Sequence, residues 1–133
     1  MIPSPLHLEH HFFTRIQLVA HPEADADRQA PFLAKAACAQ HEEEPRRWMV
    51  TVNVVAEDDD ESLSPYTGEF EIVGMFRVDD EYPEEKMGKL AHANGAALLY
   101  GCVRELLATL TARGPFMQVT LPTTTFIDEC LDS

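Results

Sequence analysis

Apolar residues at every second position mark the most regular part of the chain, which predicts strands with one buried face. The alternation is clearest over 47–57, where the predicted inward positions are Trp48, Val50, Val52 and Val54. It returns over 69–78, with Phe70, Ile72, Phe76 and Val78 on one side and Glu69, Glu71 and Arg77 on the other. Both segments are therefore predicted to be half-buried antiparallel strands.

The N-terminal third is patterned less regularly. Segment 8–20 suits a strand with Phe12, Ile16, Leu18 and Ala20 on one face, and with Phe13, Arg15, Gln17 and Val19 on the other. Segment 32–40 is rich in alanine, so its propensity alone is equally compatible with a helix. The stretches 21–31 and 57–65 carry the prolines and acidic residues of loops.

Apolar residues at steps of three and four predict a helix in the last third. Pro83 followed by two glutamates is a favourable helix start. Asn94-Gly95 predicts a break or a kink, so a short helix over 84–92 precedes a main helix over 96–113. The apolar positions of the main helix are Leu98, Leu99, Cys102, Val103, Leu106, Leu107 and Leu110. Such a stripe is wider than one sheet needs. Gly114 is predicted to be a left-handed cap, after which Pro115 prevents continuation.

The 133 residues, 45% of them hydrophobic, are enough for one domain with its own core. The net charge of −13 excludes nucleic acid and anionic membrane surfaces as expected partners. A basic partner and a merely solvated acidic surface both remain open.

The three cysteines, Cys38, Cys102 and Cys130, have neither disulfide-framework nor zinc-ligand spacing, and the first two are expected to be buried thiols. The N-terminus lacks the pattern of a signal peptide, and no apolar run reaches the length of a membrane span. These features predict a cytoplasmic protein.

No motif in the chain predicts an enzyme or a cofactor. On a regular strand, His7 and His11 face one way and His10 the other, so they do not converge on a metal, and surface histidines are the expectation. The paired carboxylates fall in loops, and phosphate-binding and nucleophile motifs are absent from the sequence. Any activity must therefore run without nucleotide hydrolysis on this chain.

Spare apolar residues are the feature that suggests a function. Six of them lie on the nominally polar faces of the predicted strands: Phe13, Val19, Met49, Val55, Val73 and Met75. A surplus of this kind predicts an oligomer interface or a ligand groove.

The order of motifs in the C-terminal half resembles the SecB export-chaperone family. The likeness covers Arg104-Glu105, the apolar helix, Arg113-Gly114, an aromatic, the short alternating segment 117–121 and Phe126. Gly74-Met75-Phe76-Arg77-Val78 is similar to a strand ending of that family. The resemblance implies an α+β fold, with a four-stranded antiparallel sheet and helices on one face. It also implies that 32–40 is a strand, and that 1–133 form a single domain with 1–6 as a flexible lead-in.

What the resemblance implies about function is an ATP-independent holdase that carries non-native or precursor polypeptides to SecA. Members form homotetramers, as dimers of dimers, through their long helices, so the expected interface residues are Leu98, Leu99, Cys102, Val103, Leu106 and Leu110. The expected polypeptide-binding groove comprises Phe13, Phe32, Trp48, Met75, Phe76 and Phe116. Glu69 matches an acidic position for contact with SecA.

Two departures from the family leave alternatives open. Tyr100-Gly101-Cys102-Val103 stands where the family has Phe-Pro-Tyr-Ala, and the chain ends at Ser133, with little room for the C-terminal tail that engages SecA. A chaperone dedicated to one client, such as an antitoxin, fits these departures equally well. A non-chaperone oligomer of the same fold and a small metal enzyme built on the histidines are the remaining hypotheses.

Overall fold

The computed structural model describes residues 2–28, 31–57 and 64–126. Within them one antiparallel sheet is formed by the strands β1 (Leu6–Ala20), β2 (Leu33–Gln40), β3 (Arg47–Ala56) and β4 (Tyr66–Val78). Their spatial order is β1-β4-β3-β2, so β1 and β2 are the edge strands. The predicted four-stranded antiparallel sheet is confirmed, including the strand over the alanine-rich segment.

An unbroken helical path follows the sheet. A 3₁₀ turn (Glu84–Lys86) leads into α1 (Met87–Leu90), a π-helical turn (Ala91–Gly95) and α2 (Ala96–Thr111). Asn94 and Gly95 were predicted to break or kink the segment; they lie in the π-helical turn, and no break follows, because Gly95 keeps helical dihedral angles, with φ −65° and ψ −46°. The glycine instead permits close packing on the sheet, since a Cβ at this position would come within 3.1 Å of Val50.

Gly114 also differs from its predicted role. No described glycine has a positive φ, so it is not a left-handed cap. It lies against the ring of Tyr66, and a Cβ there would collide with Tyr66 Oη. The glycine is therefore explained by the close approach of the chain to β4 just after α2 ends.

The core lies between the helices and one face of the sheet, here called the inner face. The inner positions of β3 and β4 pack against α2 in one cluster that includes Val50, Val52, Val54, Phe70, Ile72, Phe76, Leu99, Val103 and Leu107. Full burial of each such side chain is worth about 1.5–3 kcal/mol. Phe76, predicted to line a binding groove, is only 1% exposed because it is part of this cluster.

Strand β1 departs from strict alternation. Its register with β4 shifts between Leu8 and His10 and again between Phe13 and Arg15. Each shift inserts a residue and exchanges the faces of the residues that follow it. Phe13 therefore pairs with Ile72 on the inner face and Phe12 with Val73 on the outer face, the reverse of the prediction.

Candidate functional site

One side of α2 leaves apolar side chains partly open to solvent. This open flank consists of Leu98, Cys102, Leu106 and Leu110, which follow each other at four-residue steps and so share one side of the helix. Leu98 is 45% exposed, and the other three are partly buried against the core. The open flank is apolar along its whole length and is not fully covered within the subunit.

Leu99 and Val103 are corrections to the predicted oligomer interface. Both are fully buried in the core of the subunit itself, so they offer no surface to a second copy. Four of the six predicted interface residues remain, and they are those of the open flank. Burial and the neighbouring charge of Glu105 both raise the pKa of the Cys102 thiol.

The opposite side of α2 is covered by residues 115–126, here called the strap. Helical geometry places Tyr100 and Thr111 on this covered flank, across the buried stripe from the open flank. Leu121 and Phe126 of the strap are each 3% exposed and belong to the core cluster. Phe126 also packs edge-on against the ring of Tyr100, with 5.8 Å between ring centroids.

Side chains hold the strap in place. Tyr100 Oη donates to the carbonyl of Pro122 at 2.5 Å, and the backbone N–H of Val119 donates to Thr111 Oγ1 at 2.8 Å. Gln118 Nε2 donates to the carbonyl of Ala108 at 2.9 Å. Burial raises the pKa of Tyr100, and the Arg104 charge partly opposes that shift, so the hydroxyl stays protonated and able to donate.

The predicted groove residues do not converge on one site. Phe32 and Phe116 are both half-buried on the inner side, at the end where β4 begins: Phe32 packs near Phe70 with 6.4 Å between ring centroids, and Phe116 meets Tyr66 edge-on at 5.7 Å. Beside Phe116, Met117 is 88% exposed. This end of the helix-bearing side, with Phe32, Phe116 and Met117, is called the aromatic end.

The other predicted groove residues lie elsewhere. Phe13 is on edge strand β1, and Trp48 is at the opposite end of the sheet, where its ring approaches Gly88. Met75 lies on the outer face, directly between His10 and Met49 in neighbouring strands. Trp48 is the register partner of Phe76 at its own end of the sheet, whereas Phe32 and Phe116 lie toward the end where β4 begins.

The outer face carries an apolar half and a polar half. Its apolar half contains Phe12, Met49, Val73 and Met75, of which Phe12 and Met49 are 39% and 40% exposed. Its polar half is centred on Glu69. Arg15 donates to Glu69 at 2.9 Å, and Asn53 donates at 3.3 Å to both Glu69 and Glu71.

These contacts determine the ionisation of Glu69. The hydrogen bond from Arg15, followed by that from Asn53, lowers the pKa of the carboxyl, and partial burial acts in the opposite direction. The carboxylate is therefore charged near neutral pH, but it is already engaged within its own sheet. This engagement limits what Glu69 can offer to a basic partner.

The histidines and cysteines also differ from the sequence expectations. The shift near Glu9 places His7 and His10 on the same face, and His92 is a buried residue of the π turn, whose Nδ1 lies 3.5 Å from Cys38 Sγ. Cys38 and Cys102 are only partly buried, and Cys130 lies outside the described residues. Over 2–28, 31–57 and 64–126 no three His, Cys, Asp or Glu side chains are grouped as a metal site.

Sequence reasoning missed Tyr100 and Thr111 as the groups that hold the strap. The alternation of Val119 and Leu121 predicted an extended segment, but no signal showed that it returns along the helix. The exposed Ile16 was also missed, because an inward-facing position on an edge strand is not automatically covered.

Comparisons with known proteins agree with this architecture. The family described as "Preprotein translocase subunit SecB" matches residues 22–128. In fold, the chain is similar to the Mycobacterium tuberculosis SecB-like chaperone Rv1957, solved in complex with a ChAD peptide from the Rv1956 HigA1 antitoxin. That match has a TM-score of 0.64 and 18% identity, and it covers 90% of this chain and 91% of that chain.

A second solved structure, a protein of unknown function from Streptococcus agalactiae, matches with a TM-score of 0.49 and 15% identity, over 91% of this chain and 99% of that chain. No curated protein matches the chain significantly by sequence. Within the part of the chain that the structure describes, no helix combines the length and apolar character needed to cross a bilayer. Because the SecB family matches most of its length, the chain belongs to that family.

Proposed function

We propose that this member of the SecB family is an ATP-independent holdase that binds non-native polypeptides through apolar surface on the helix-bearing side of its sheet. The observation that carries the proposal is the apolar surface left open around a complete core. Leu98 on the open flank and Met117 at the aromatic end are 45% and 88% exposed, while the core cluster beneath them is fully packed.

Two surfaces support two parts of this proposal. The open flank is suited to self-association, since a second copy would cover its four apolar side chains in the dimer-of-dimers arrangement that the family implies. The aromatic end is suited to clients, because its half-buried rings and exposed methionine fit many side-chain shapes. On the same family basis, we place the activity in the cytoplasm.

Energetics favour loose binding. Burial of about 1,000 Å² of apolar client surface is worth roughly 25 kcal/mol. Ordering about 20 client residues costs roughly 20–40 kcal/mol in backbone entropy. A client is therefore held by a few apolar anchors while the chain between them stays mobile, and repeated sites on an oligomer supply avidity.

The direct test is suppression of aggregation. A chemically unfolded client is diluted into buffer containing the full chain without nucleotide, and light scattering is followed. Suppression at a few-fold molar excess is the expected result. Unchanged scattering at large excess contradicts the holdase function and favours a non-chaperone interaction protein of the same fold.

A matched pair of variants locates the activity. Phe32→Ser removes a half-buried aromatic anchor at the aromatic end, whereas Phe12→Ser removes a ring that is 39% exposed on the outer face. We expect the first change to weaken suppression several-fold and the second to have little effect. The reverse order would move the client site to the outer face.

A second candidate is a chaperone dedicated to one client, such as an antitoxin. It is favoured by the engagement of Glu69 with Arg15 and Asn53, which leaves the predicted SecA contact only partly available. Binding to purified SecA distinguishes the two roles. Micromolar or tighter binding that Glu69→Lys abolishes supports export, and its absence supports the dedicated role.

A further inference from the structure

The strap is bound to its own subunit in the way that an extended client is bound to a groove. Over 115–126 it forms no backbone ladder with the sheet. Its contacts with α2 are side-chain hydrogen bonds and apolar anchors instead. The strap therefore reveals a surface of α2 that binds an extended peptide segment.

Two of these hydrogen bonds involve only backbone atoms of the strap. Tyr100 Oη meets the carbonyl of Pro122, and Thr111 Oγ1 meets the N–H of Val119. Neither contact depends on the side chain of the strap residue, so any extended segment can supply the same two atoms. Thr111 is fully buried, and its hydroxyl donates to the carbonyl of Leu107. Because the hydroxyl proton is used in this way, the lone pairs of Thr111 Oγ1 are left to accept from the strap.

The anchors define a pattern. Leu121 and Phe126 are buried, and Val119 is partly buried against the core. The residues between them, Thr120 and 122–125, are exposed or half-exposed. The surface thus accepts apolar residues at alternating positions, followed by an aromatic residue five positions on.

We propose that the α2 surface beneath the strap is a polypeptide-binding site with Tyr100 and Thr111 as its backbone-reading groups, and that clients with this pattern displace the strap. This inference rests on the proposed holdase function. The displacement breaks no strand pairing, because the strap is held by side chains and not by a sheet ladder. Release of the strap also returns the conformational entropy of the whole segment, which offsets part of the lost contacts.

The test uses the full chain and a fluorescent synthetic peptide with the sequence of 115–126. In the double variant Leu121→Ser with Phe126→Ser, the resident strap loses its anchors, so we expect the peptide to bind at least tenfold more tightly than to wild type. Thr120→Ser with Thr123→Ser is the matched control, because both residues belong to the strap but are exposed. Adding Tyr100→Phe to the double variant should weaken peptide binding several-fold.

A measurement on the unmutated chain covers the case in which the double variant fails to fold. The Val119 amide is held by Thr111 Oγ1, so its hydrogen exchange should accelerate several-fold when a saturating unfolded client displaces the strap. Equal peptide binding by wild type, control and folded double variant would overturn the proposal, as would unchanged or slower exchange of Val119 with client bound. Suppression of aggregation by wild type is measured separately. If wild type suppresses aggregation but the strap is not displaced, only this inference fails and the holdase function stands.

Discussion

The two flanks of α2 differ in their side chains and in what covers them. The covered flank, with Tyr100 and Thr111, is closed by the chain's own strap through two hydroxyls and two buried anchors. The open flank, from Leu98 to Leu110, meets no comparable segment among the described residues and remains partly solvated. One helix thus presents one surface occupied within the subunit and one surface available to another chain.

This difference shows how a small fold separates stability from binding. The buried stripe between the flanks, which includes Leu99 and Val103, holds helix and sheet together. The open flank contributes less to the fold and is free to serve association. The following predictions change one flank or one neighbouring residue at a time.

The largest effect is expected from the adjacent residues Leu99 and Leu98. Leu99→Ala should lower the free energy of unfolding by about 3 kcal/mol, because it opens a cavity in a fully packed core. Leu98→Ala removes a side chain that is already 45% exposed, so we expect a loss below about 1 kcal/mol. Urea unfolding measures both, and equal losses would contradict the division between stripe and flank.

The next effect concerns self-association through the open flank. Leu106→Lys places a charge among apolar side chains, and burying it in a subunit contact should weaken association at least tenfold. Ala97→Lys is the charge-matched control, since Ala97 is exposed on the other side of the helix. Size exclusion with light scattering gives the mass of each variant in solution. An oligomer of unchanged mass for Leu106→Lys would show that another surface joins the subunits.

A smaller effect is expected on the covered flank. Tyr100→Phe leaves the Pro122 carbonyl without its donor and should cost about 1 kcal/mol of unfolding free energy. It should also make the strap a faster substrate for limited proteolysis. Tyr82→Phe, in the turn before the 3₁₀ segment, is the matched control, and identical proteolysis of both variants would argue against a role for the hydroxyl in holding the strap.

The smallest effect is pH-dependent and lies on the outer face. The pKa of Glu69 is lowered from its ordinary value of 4.5 by Arg15 and Asn53. Its carboxylate therefore adds stability above pH 4.5, and this contribution is lost as the pH falls through the lower folded-state pKa. The unfolding free energies of wild type and Glu69→Gln should differ at neutral pH and converge in acid; a constant difference would contradict this account.

Sequence patterns were sufficient for the interior of the sheet. The alternation of Val50, Val52 and Val54 and of Phe70 and Ile72 gave the buried face correctly, because central strands are regular and fully covered. The edge strand β1 was less predictable. Its two register shifts exchange Phe12 and Phe13, and a period of two cannot reveal an inserted residue.

The helix and the candidate site also could not be fully predicted from local sequence patterns. Asn94-Gly95 and Gly114 were interpreted by their conformational preferences, whereas close packing against Val50 and Tyr66 explains both glycines. The strap depends on a return of the chain along α2, which joins Tyr100 to Pro122 across 22 positions. Local patterns carry no information on a contact of that separation.

Photo-crosslinking tests the central claim most directly. A photoreactive phenylalanine analogue is placed either at Met117, at the aromatic end, or at Met49, on the outer face, and each protein is irradiated with an unfolded client. Our account predicts that the client crosslinks strongly from position 117 and weakly from position 49. Crosslinking from position 49 alone, or from neither position, would contradict it.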